Sequence, residues 1–423
     1  MDITVIGAGV VGVTTAHALA RRGHRVTVIE RLSGPAEETS RANAGQRSYG
    51  VVYPWAVPGL ARKALFWLLE RDGPLKMTWP PSLETLRFLF ATLRYANAPG
   101  VYGLNRRAML RLGEYSRQCF HDLESAHDLT FDGEHDGLMH LASTPEAMTE
   151  YLATSELLSE LGIAHRLLGP EDVRAREPGM TGSGPLFGAL RFETDGTGDC
   201  HGFTRALAAS AESLGVTFRY GTTVTALEGD HRQIRGVRVS EEGGGEEVLD
   251  CDAVVLCAGA ASPKLARSVG LFLPIYPVKG YSLTVPMDHP ERGPYSTIHD
   301  DRYKVVSTRL GDRLRATGFV ALSGFDRRIP EARLETIRRS VASRFPGAAD
   351  MSAATPWTGF RPMTPDGPAI IGRGTRDNLY LNTGHGTFGW TFSAGSAELI
   401  SQVIDGESPA LNLDPFRPGR FAE

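Results

Sequence analysis

The pattern of apolar residues changes twice within the first thirty residues, from that of a strand to that of a helix and back. The apolar run 3–6 predicts a buried strand, the Ala-rich stretch 13–22 predicts a helix that ends at Gly23, and the β-branched run 25–30 predicts a second strand. The segment between the first strand and the helix is rich in glycine. The chain is therefore predicted to open with a strand, a tight turn, a helix and a second strand.

Alternating helix and strand patterns continue to the end of the chain. Between about residues 53 and 112, prolines interrupt helical stretches rich in Leu, Trp and Phe, which predicts an insertion of helices. Strand patterns occupy 273–325, and a helix is expected near 331–345. This mixture predicts the α/β class. The other predicted elements are a helix at 202–214, strands at 216–220, 223–227, 234–240, 248–251, 253–257 and 379–382, and a last helix at 391–404.

Composition narrows the class of protein. Hydrophobic residues make up 41% and charged residues 22% of the 423 residues, which argues against a disordered, fibrous or coiled-coil chain. The net charge of −4 does not favour bulk attraction to nucleic acid. No apolar run reaches the roughly 18 residues that would cross a bilayer, and no signal-peptide pattern is visible. We therefore expect a cytoplasmic protein without a nucleic-acid partner.

Cysteine usage predicts neither a metal site nor a disulfide framework. Cys119, Cys200, Cys251 and Cys257 include no CxxC pair, and no histidine cluster has metal-ligand spacing. A reducing compartment fits this pattern best.

Gly7, Gly9 and Gly12 form a GxGxxG pattern between a predicted strand and a predicted helix, the context in which the pattern indicates a dinucleotide site. The first glycine permits the tight turn, the second lets a pyrophosphate approach the helix N-terminus, and the third allows the helix to pack on the strand. Glu30 ends the second strand 18 residues after Gly12. Its carboxylate is expected to bind the ribose hydroxyls and to repel a 2′-phosphate. The alternative is a glycine turn without a ligand.

The glycine pattern alone does not separate NAD from FAD. The small, polar segment 38–46 follows the second strand and suits a backbone path along phosphates and the inner edge of a large ring. Two later strands run into small residues, at Ala258-Gly259 and at Gly384-His385-Gly386. The glycine turn 7–12 and the turn at 384–386 lie more than 370 residues apart, which favours a long cofactor that extends through the whole fold.

Five further segments carry a family resemblance: 40–45 (SRANAG), 53–56 (YPWA), 276–283 (YPVKGYSL), 357–367 (WTGFRPMTPDG) and 382–391 (NTGHGTFGWT). With the glycine turn and Glu30, they make the chain resemble the FAD-dependent amine and amino-acid oxidoreductases of the D-amino acid oxidase type. More narrowly, the chain resembles the small subunit of the bacterial D-amino acid dehydrogenases. The resemblance spans nearly the whole sequence.

The resemblance implies non-covalent FAD and the oxidative deamination of a D-amino acid to an imino acid, which water converts to a 2-oxo acid and ammonia. It implies a quinone as electron acceptor in dehydrogenases and oxygen in oxidases. The implied fold has a discontinuous Rossmann-like FAD-binding domain and a substrate domain built on a mainly antiparallel sheet. We assign 1–52, 196–272 and 352–423 to the first domain, and 53–195 and 273–351 to the second, with a helical insertion at about 55–112.

The residues that we expect to contact FAD come from all the segments above. They are Gly7, Gly9, Val10, Val11, Gly12, Glu30, Arg31, Ser40, Asn43, Ala44, Gly45, Val224, Ala258, Gly259, Gly384, His385, Gly386 and Thr387.

An amino-acid substrate needs a fixed cation for its carboxylate, preferably a guanidinium that gives two parallel hydrogen bonds. We select Arg361, because Phe360 and Pro362 restrict its backbone and because family relatives place an arginine there. The alternative is a salt-bridged arginine. Tyr281 and Tyr303, both on predicted strands, are expected to make further substrate contacts unless they are ordinary buried tyrosines.

His385 lies between two glycines ahead of the last helix. Backbone N–H groups and the positive end of that helix can stabilise negative charge on reduced flavin there. We expect this backbone to contact the flavin, and we consider both a catalytic and a structural role for the imidazole.

The helical insertion contains many aromatic and basic residues and few acids. Basic amphipathic helices of this kind can lie on an anionic bilayer, which would suit an enzyme that reduces a quinone. The alternative is that these helices bury their apolar faces against the substrate domain. Peripheral attachment to the inner face of the membrane therefore stays open.

Two other functions remain open at this point. The first is an oxidase or dehydrogenase that acts on glycine, sarcosine, hydroxyproline or another secondary amine. These enzymes differ in the side chains that line the substrate pocket, which the sequence alone does not identify. More remotely, the chain can be a non-catalytic flavin-binding assembly protein that retains the fold.

Overall fold

The computed structural model describes residues 1–70, 73–133, 137–241 and 243–421. The strands in these residues are β1 (Asp2–Ile6), β2 (Arg25–Ile29), β3 (Gln46–Arg47), β4 (Leu75–Met77), β5 (Leu138–Ala142), β6 (His165–Leu168), β7 (Gly188–Phe192), β8 (Gly196–Thr197), β9 (Thr217–Arg219), β10 (Thr222–Gly229), β11 (Ile234–Glu241), β12 (Glu246–Asp250), β13 (Ala253–Leu256), β14 (Tyr276–Pro286), β15 (Thr297–Asp300), β16 (Val305–Leu310), β17 (Arg313–Leu322), β18 (Thr355–Met363), β19 (Ile370–Arg373) and β20 (Leu379–Thr383).

The helices are named in the same way. They are α1 (Val10–Arg21), α2 (Leu60–Leu69), α3 (Leu83–Asn97), α4 (Val101–Ala126), α5 (Pro145–Glu160), α6 (Pro170–Arg176), α7 (Cys200–Ser213), α8 (Ser262–Arg267), α9 (Glu331–Arg344) and α10 (Gly389–Ile404).

The first sheet has six strands in the order β19-β20-β13-β1-β2-β9 and is parallel except for β19. The apolar side chains of α1, α7 and α10 pack on one face, and β10, β11 and α8 cover the other. Strands buried on both faces appear in sequence as continuous apolar runs, which explains the pattern of β1 and β13. The bounds predicted for β1, α1, β2, β20 and α10 agree with the structure to within three residues.

The second sheet follows the order β18-β14-β17-β16-β15-β5-β7-β6, with β4 beside β17. It is mainly antiparallel, and the β15–β5 and β17–β4 pairs are parallel. Helix α9 covers one face with a core that includes Leu283, Ile337 and Val341. Strands β4 to β7, which the hydrophobic pattern does not predict, complete this sheet. The fold is thus of the α/β class, with a Rossmann-like parallel sheet and a second, mainly antiparallel sheet.

The two sheets are joined where β18 ends. Met363, the last residue of β18, forms an antiparallel bridge with His385, which follows β20. A second connection comes from β16, where the Thr308 hydroxyl donates a hydrogen bond of 2.8 Å to the carbonyl oxygen of Ala44. The second sheet is therefore attached to two of the segments that were expected to bind the cofactor.

Within the described part of the chain, no helix combines the length and the apolar character needed to cross a membrane.

Candidate active site

A cavity of about 1110 Å³ lies between the two sheets. The turns that follow β1, β2, β13 and β20 form one wall, and residues of β14, β16, β17 and β18 form another. Ligands of open α/β sheets bind outside the carboxyl ends of the parallel strands, which is where these turns lie. Pockets for single small molecules usually measure roughly 300–1,000 Å³, so this cavity suits a long cofactor together with a second molecule.

The glycine turn has the geometry that the sequence predicts. Gly7 has φ of 102°, a left-handed conformation that side chains rarely adopt, and a Cβ at Gly12 would collide with the Gly7 carbonyl oxygen. Gly9 is the N-cap residue of α1, and as a glycine it has no side chain that could bind the N–H groups of the first turn. The Val10 N–H donates to the Ser40 hydroxyl at 3.1 Å. Helix α1 therefore starts with its N-terminus at the cavity, as an anion site requires.

Glu30 lines the cavity beside this turn. Its carboxylate accepts hydrogen bonds from the Ala8 N–H at 2.8 Å and from the Leu32 N–H at 3.0 Å. Burial raises its pKa, and these two N–H groups oppose that shift. The neighbouring Arg31 also lines the cavity and forms an ion pair with Glu38. The Glu30 carboxylate is thus fixed in orientation at the position expected for ribose recognition.

The loop after β2 is held in place by its own hydrogen bonds. The Asn43 side-chain oxygen accepts from the Gly45 N–H at 3.0 Å, and the Ala44 carbonyl oxygen is bound by Thr308. Asn43 and Ala44 line the cavity, and so does Ser40.

The other residues expected at the cofactor divide into two groups. The cavity is lined by Val10, Val11, Val224, Ala258, Gly259, His385, Gly386 and Thr387, in addition to Gly7, Gly9 and the polar residues named above. Gly12, Gly45 and Gly384 are not among the described residues that line the cavity. These three glycines act one layer behind the wall, in helix packing or in turns of positive φ.

Arg361 lies on β18 at the junction of the two sheets and lines the cavity. One guanidinium nitrogen, Nη1, donates to the Phe319 carbonyl oxygen at 3.2 Å. No carboxylate of the described residues forms an ion pair with it. Burial lowers the Arg361 pKa to about 10, and the neighbouring Tyr53 hydroxyl opposes that shift. A partly buried guanidinium without an ion-pair partner among the described residues is costly, so this site favours an incoming anion.

The strands around Arg361 leave room for its guanidinium. A Cβ at Gly280 on the adjacent β14 would lie only 2.6 Å from Arg361 Cζ. Phe319, which supplies the accepting carbonyl, has φ of 64°, a left-handed conformation that is uncommon for an aromatic residue. Such strain persists only where the surrounding structure imposes it, and it is typical of ligand sites.

His385 is buried and lines the cavity after β20. Its Nε2 lies 3.1 Å from the Ser396 hydroxyl on α10. Burial lowers the His385 pKa to about 3, so the imidazole is neutral at physiological pH. Any positive potential at this turn comes from the backbone N–H groups and the start of α10, as we expected for the flavin contact.

Two tyrosines do not meet Arg361 as the sequence suggested. On β14, Val278 pairs directly with Arg361, so Tyr281 projects from the opposite face and its ring packs in the core beside α9. Tyr303 lies in the turn 301–304 between β15 and β16 rather than on a strand, and it packs against the same core. It is not among the described residues that line the cavity. Tyr281 is still among the residues that line the cavity, so its expected substrate contact stays a prediction. The predicted strand position of Tyr303 is wrong.

Sequence reasoning missed Tyr53, which lines the cavity within electrostatic reach of Arg361. Its ring makes an edge contact with that of Phe388, which follows the turn 384–386, and the ring centroids are 6.0 Å apart. Tyr53 was part of a segment that carried the resemblance, and that is the only signal the sequence offered.

A second missed feature is a row of side chains across the second sheet. Direct strand pairing places one residue from each of six strands side by side on the same face, and all six line the cavity. They are Trp357, Ser282, Thr317, Val306, His299 and His140. All except Val306 have a buried side-chain nitrogen or oxygen without a hydrogen-bond partner in the described structure. Buried polar atoms are usually paired, so this row favours a polar ligand in the cavity.

Comparison with known proteins gives the family. The model of the FAD dependent oxidoreductase family matches residues 2–403. D-amino acid dehydrogenases from Cereibacter sphaeroides and Methylobacterium radiotolerans are 45% and 43% identical to this chain. The first alignment covers 97% of this chain and 93% of the relative, and the second covers 100% of both.

Solved structures show the same fold. L-proline dehydrogenase from P. horikoshii has a TM-score of 0.76 at 20% identity and covers 100% of this chain and 97% of its own. Glycine oxidase from Bacillus cereus has a TM-score of 0.73 at 22% identity, with 96% and 95% covered. The glycine turn, the fixed Glu30 carboxylate and the match over almost the entire length lead to one conclusion: the chain belongs to the FAD dependent oxidoreductase family.

Proposed function

We propose that this protein is a D-amino acid dehydrogenase, which oxidises D-amino acids to imino acids that water converts to 2-oxo acids and ammonia. The observation that carries the proposal is Arg361, a partly buried guanidinium that faces the cavity at the junction of the sheets and forms no ion pair with a carboxylate of the described residues. The full-length relatives named D-amino acid dehydrogenase support the same substrate class.

The residues present fit FAD. The N-terminus of α1 and the glycine turn would hold the pyrophosphate, and Glu30 would hold the ribose. Unpaired polar atoms of Ser282, Thr317 and Trp357 offer hydrogen bonds to a polar ring system in the middle of the cavity. When bound, FAD accepts a hydride from the substrate Cα.

We infer that the cofactor is held without a covalent bond. Cys257 is the cysteine at the cavity wall among the described residues, and it lies beneath the glycine turn. Burial raises its pKa to about 12, so it is an unreactive thiol. The His385 imidazole is already engaged with Ser396.

The side chains of this chain position the substrate rather than attack it. Arg361 would bind the α-carboxylate through two parallel hydrogen bonds, and Tyr53 would add a hydroxyl to the same group. The strained Phe319 carbonyl orients the guanidinium before substrate arrives. Backbone N–H groups at 386–387 and the start of α10 would stabilise negative charge that develops beside them. Such positioning can supply most of the acceleration when the substrate amine is neutral.

Anaerobic mixing with single substrates tests this proposal. We expect D-alanine and other D-amino acids to bleach the flavin absorbance of the purified protein, and L-amino acids not to do so. Bleaching by sarcosine, glycine or hydroxyproline, without bleaching by D-amino acids, would replace the proposal with a secondary-amine or glycine enzyme. A flavoprotein that no substrate bleaches would favour the non-catalytic alternative.

We propose that a quinone, rather than oxygen, takes the electrons from the reduced enzyme. Trp67 on α2, Phe88 on α3 and the exposed Phe272 line part of the cavity wall. An aromatic, apolar wall of this kind suits a planar, lipid-soluble acceptor. Reoxidation of the bleached enzyme should be much faster with a short-chain quinone analogue than with air-saturated buffer, and the reverse order would identify an oxidase.

We propose that the surface formed by α2, α3 and the residues just before α3 contacts an anionic bilayer. Large apolar side chains are exposed on α2, on α3 and just before α3, and Arg62, Lys63 and Arg87 are exposed beside them. The exposed apolar residues are Leu65, Phe66, Leu69, Trp79, Leu83 and Phe90. Apolar side chains ringed by cations are typical of helices that lie in a membrane interface.

Flotation with anionic liposomes tests the membrane contact. Replacement of Leu65, Phe66 and Leu69 by Ser should reduce binding, and replacement of Arg62, Lys63 and Arg87 by Gln should reduce it mainly at low salt. The matched control replaces Leu152 and Phe187, two exposed apolar residues elsewhere, by Ser. Equal flotation of all variants would contradict the proposal.

A further inference from the structure

Two histidines form a stacked pair at one end of the polar row. His140 lies on β5 and His299 on β15, and the parallel register of these strands places them side by side. Their ring centroids are 4.4 Å apart and their planes differ by only 13°. Phe192 packs edge-on against His140 at 5.5 Å. The pair is therefore a rigid, built feature of the sheet.

Both histidines line the cavity and retain hydrogen-bonding capacity. His140 Nε2 and His299 Nδ1 are buried without a partner in the described structure. Burial lowers the His140 pKa well below its usual value and the His299 pKa to about 4. Both rings are therefore neutral at physiological pH, and each carries one donor and one acceptor nitrogen. Lys304, Asp300 and Asp301 are the charged groups nearest to this pair.

His299 and His140 lie two and three strands away from β17, the strand whose Phe319 carbonyl binds Arg361. Tyr53 is within electrostatic reach of Arg361 and also of Tyr151, whose ring centroid is 6.3 Å from that of His140. A molecule whose carboxylate binds Arg361 would therefore extend along Tyr53 toward the two imidazoles. The cavity wall on that route also includes Val51 and Val306.

We propose that His140 and His299 form the specificity-determining wall for the substrate side chain, and that they favour D-amino acids whose side chains carry a hydrogen-bonding group. This inference rests on the proposed function. A polar side chain would satisfy nitrogen atoms that an aliphatic side chain of the same size would leave unpaired. Sites that leave a buried polar group unpaired discriminate against the apolar analogue.

Isosteric substrates test the inference directly. D-asparagine is matched in shape by D-leucine, D-threonine is matched by D-valine, and D-alanine is too short to need the wall. In the unmodified enzyme we expect kcat/KM for D-asparagine to exceed that for D-leucine. His140→Phe and His299→Phe keep a planar ring but remove both nitrogens, and each should lower the D-asparagine to D-leucine ratio about three- to tenfold. The values for D-alanine should stay within twofold.

A binding measurement separates this inference from the proposed function. Succinamate and 4-methylpentanoate are the same two side chains without the amine, and their binding is read from the shift of the flavin spectrum without turnover. Succinamate should bind more tightly to the unmodified protein, and each Phe variant should reverse that preference. His231→Phe, at an exposed histidine far from the cavity, is the matched control.

Each result decides the question. Equal losses for D-alanine, D-leucine and D-asparagine, or an unchanged succinamate preference, would overturn the assignment and place the pair at the cofactor or in the fold. If a Phe variant loses its flavin, His140→Asn and His299→Asn retain polar atoms and should preserve the preference for polar ligands. Failure of every D-amino acid to bleach the flavin would refute the proposed function, while the binding ratio would still test the wall.

Discussion

The two ends of the cavity are built in different ways. The end near α1 consists mostly of backbone atoms from residues close together in sequence, such as Gly7 and Gly9. Glu30 holds this turn by accepting a hydrogen bond from the Ala8 N–H. The end near Arg361 consists of side chains from residues far apart in sequence, among them Tyr53, His299 and Arg361 itself. Backbone geometry recognises features common to all dinucleotides, whereas side chains can be changed one at a time. We therefore expect the backbone turns to bind the cofactor and individual side chains to select the substrate.

The strongest way to break this comparison is at the backbone end. Gly12→Val places a branched side chain against the Gly7 carbonyl oxygen, and relief requires the backbone to move. Overpacking costs about 1–3 kcal/mol, so we expect FAD affinity to fall about 5- to 160-fold. The flavin-to-protein absorbance ratio after gel filtration measures this. Gly103→Ala, on α4 with no atom near its added methyl, should retain full flavin.

At the side-chain end, Arg361→Ala should leave the flavin in place and remove the carboxylate partner. We expect kcat/KM for D-amino acids to fall, because transition-state binding should lose on the order of 2 to 4 kcal/mol. Arg361→Lys keeps a charge but not the planar fork, and should recover only part of the loss. Unchanged kinetics in the Ala variant would show that another group binds the carboxylate.

A buried carboxyl supports the segment that connects the two ends. Asp195 accepts the Gly50 N–H at 2.9 Å, and burial raises its pKa to about 8. Between pH 4 and 8 the folded state therefore binds one more proton than the unfolded state, so the free energy of unfolding falls as pH rises, by about 1.4 kcal/mol per pH unit. Asp195→Asn should remove this slope.

Thermal unfolding from pH 5 to 8 measures the effect. The Tm of Asp195→Asn should rise relative to the natural protein as pH increases, and exposed Asp122→Asn should show no such trend. Parallel Tm curves for Asp195→Asn and the natural protein would mean that Asp195 is ionised in the fold.

The smallest effect is expected at Tyr53, and it tests whether the Tyr53 hydroxyl contributes to substrate binding. Tyr53→Phe removes one hydroxyl near Arg361, and a neutral hydrogen bond contributes about 1 kcal/mol, so kcat/KM should fall roughly fivefold with normal flavin content. Tyr295 is equally exposed, at 44%, but lies away from the described cavity wall. An equal loss in Tyr295→Phe would exclude a specific role for Tyr53.

The same contrast explains what could be predicted from sequence. The turn at Gly7 to Gly12 is local, so its chemistry follows from spacing alone. Tyr281 lies on a strand, as predicted, but the face of its ring relative to Arg361 could not be predicted, because the register of β14 against β18 depends on pairing between residues about 80 positions apart. His140 and His299 meet only through the pairing of β5 with β15. Sequence-distant contacts of this kind leave no periodic signal in a single chain.

The bridge between Met363 and His385 has a consequence for how the molecule unfolds. Because this bridge and the hydrogen bond from Thr308 to Ala44 both connect the two sheets, we expect the sheets to unfold together. Heating should therefore release the yellow colour and abolish turnover at the same temperature, with no colourless, substrate-binding species and no coloured, inert one in between.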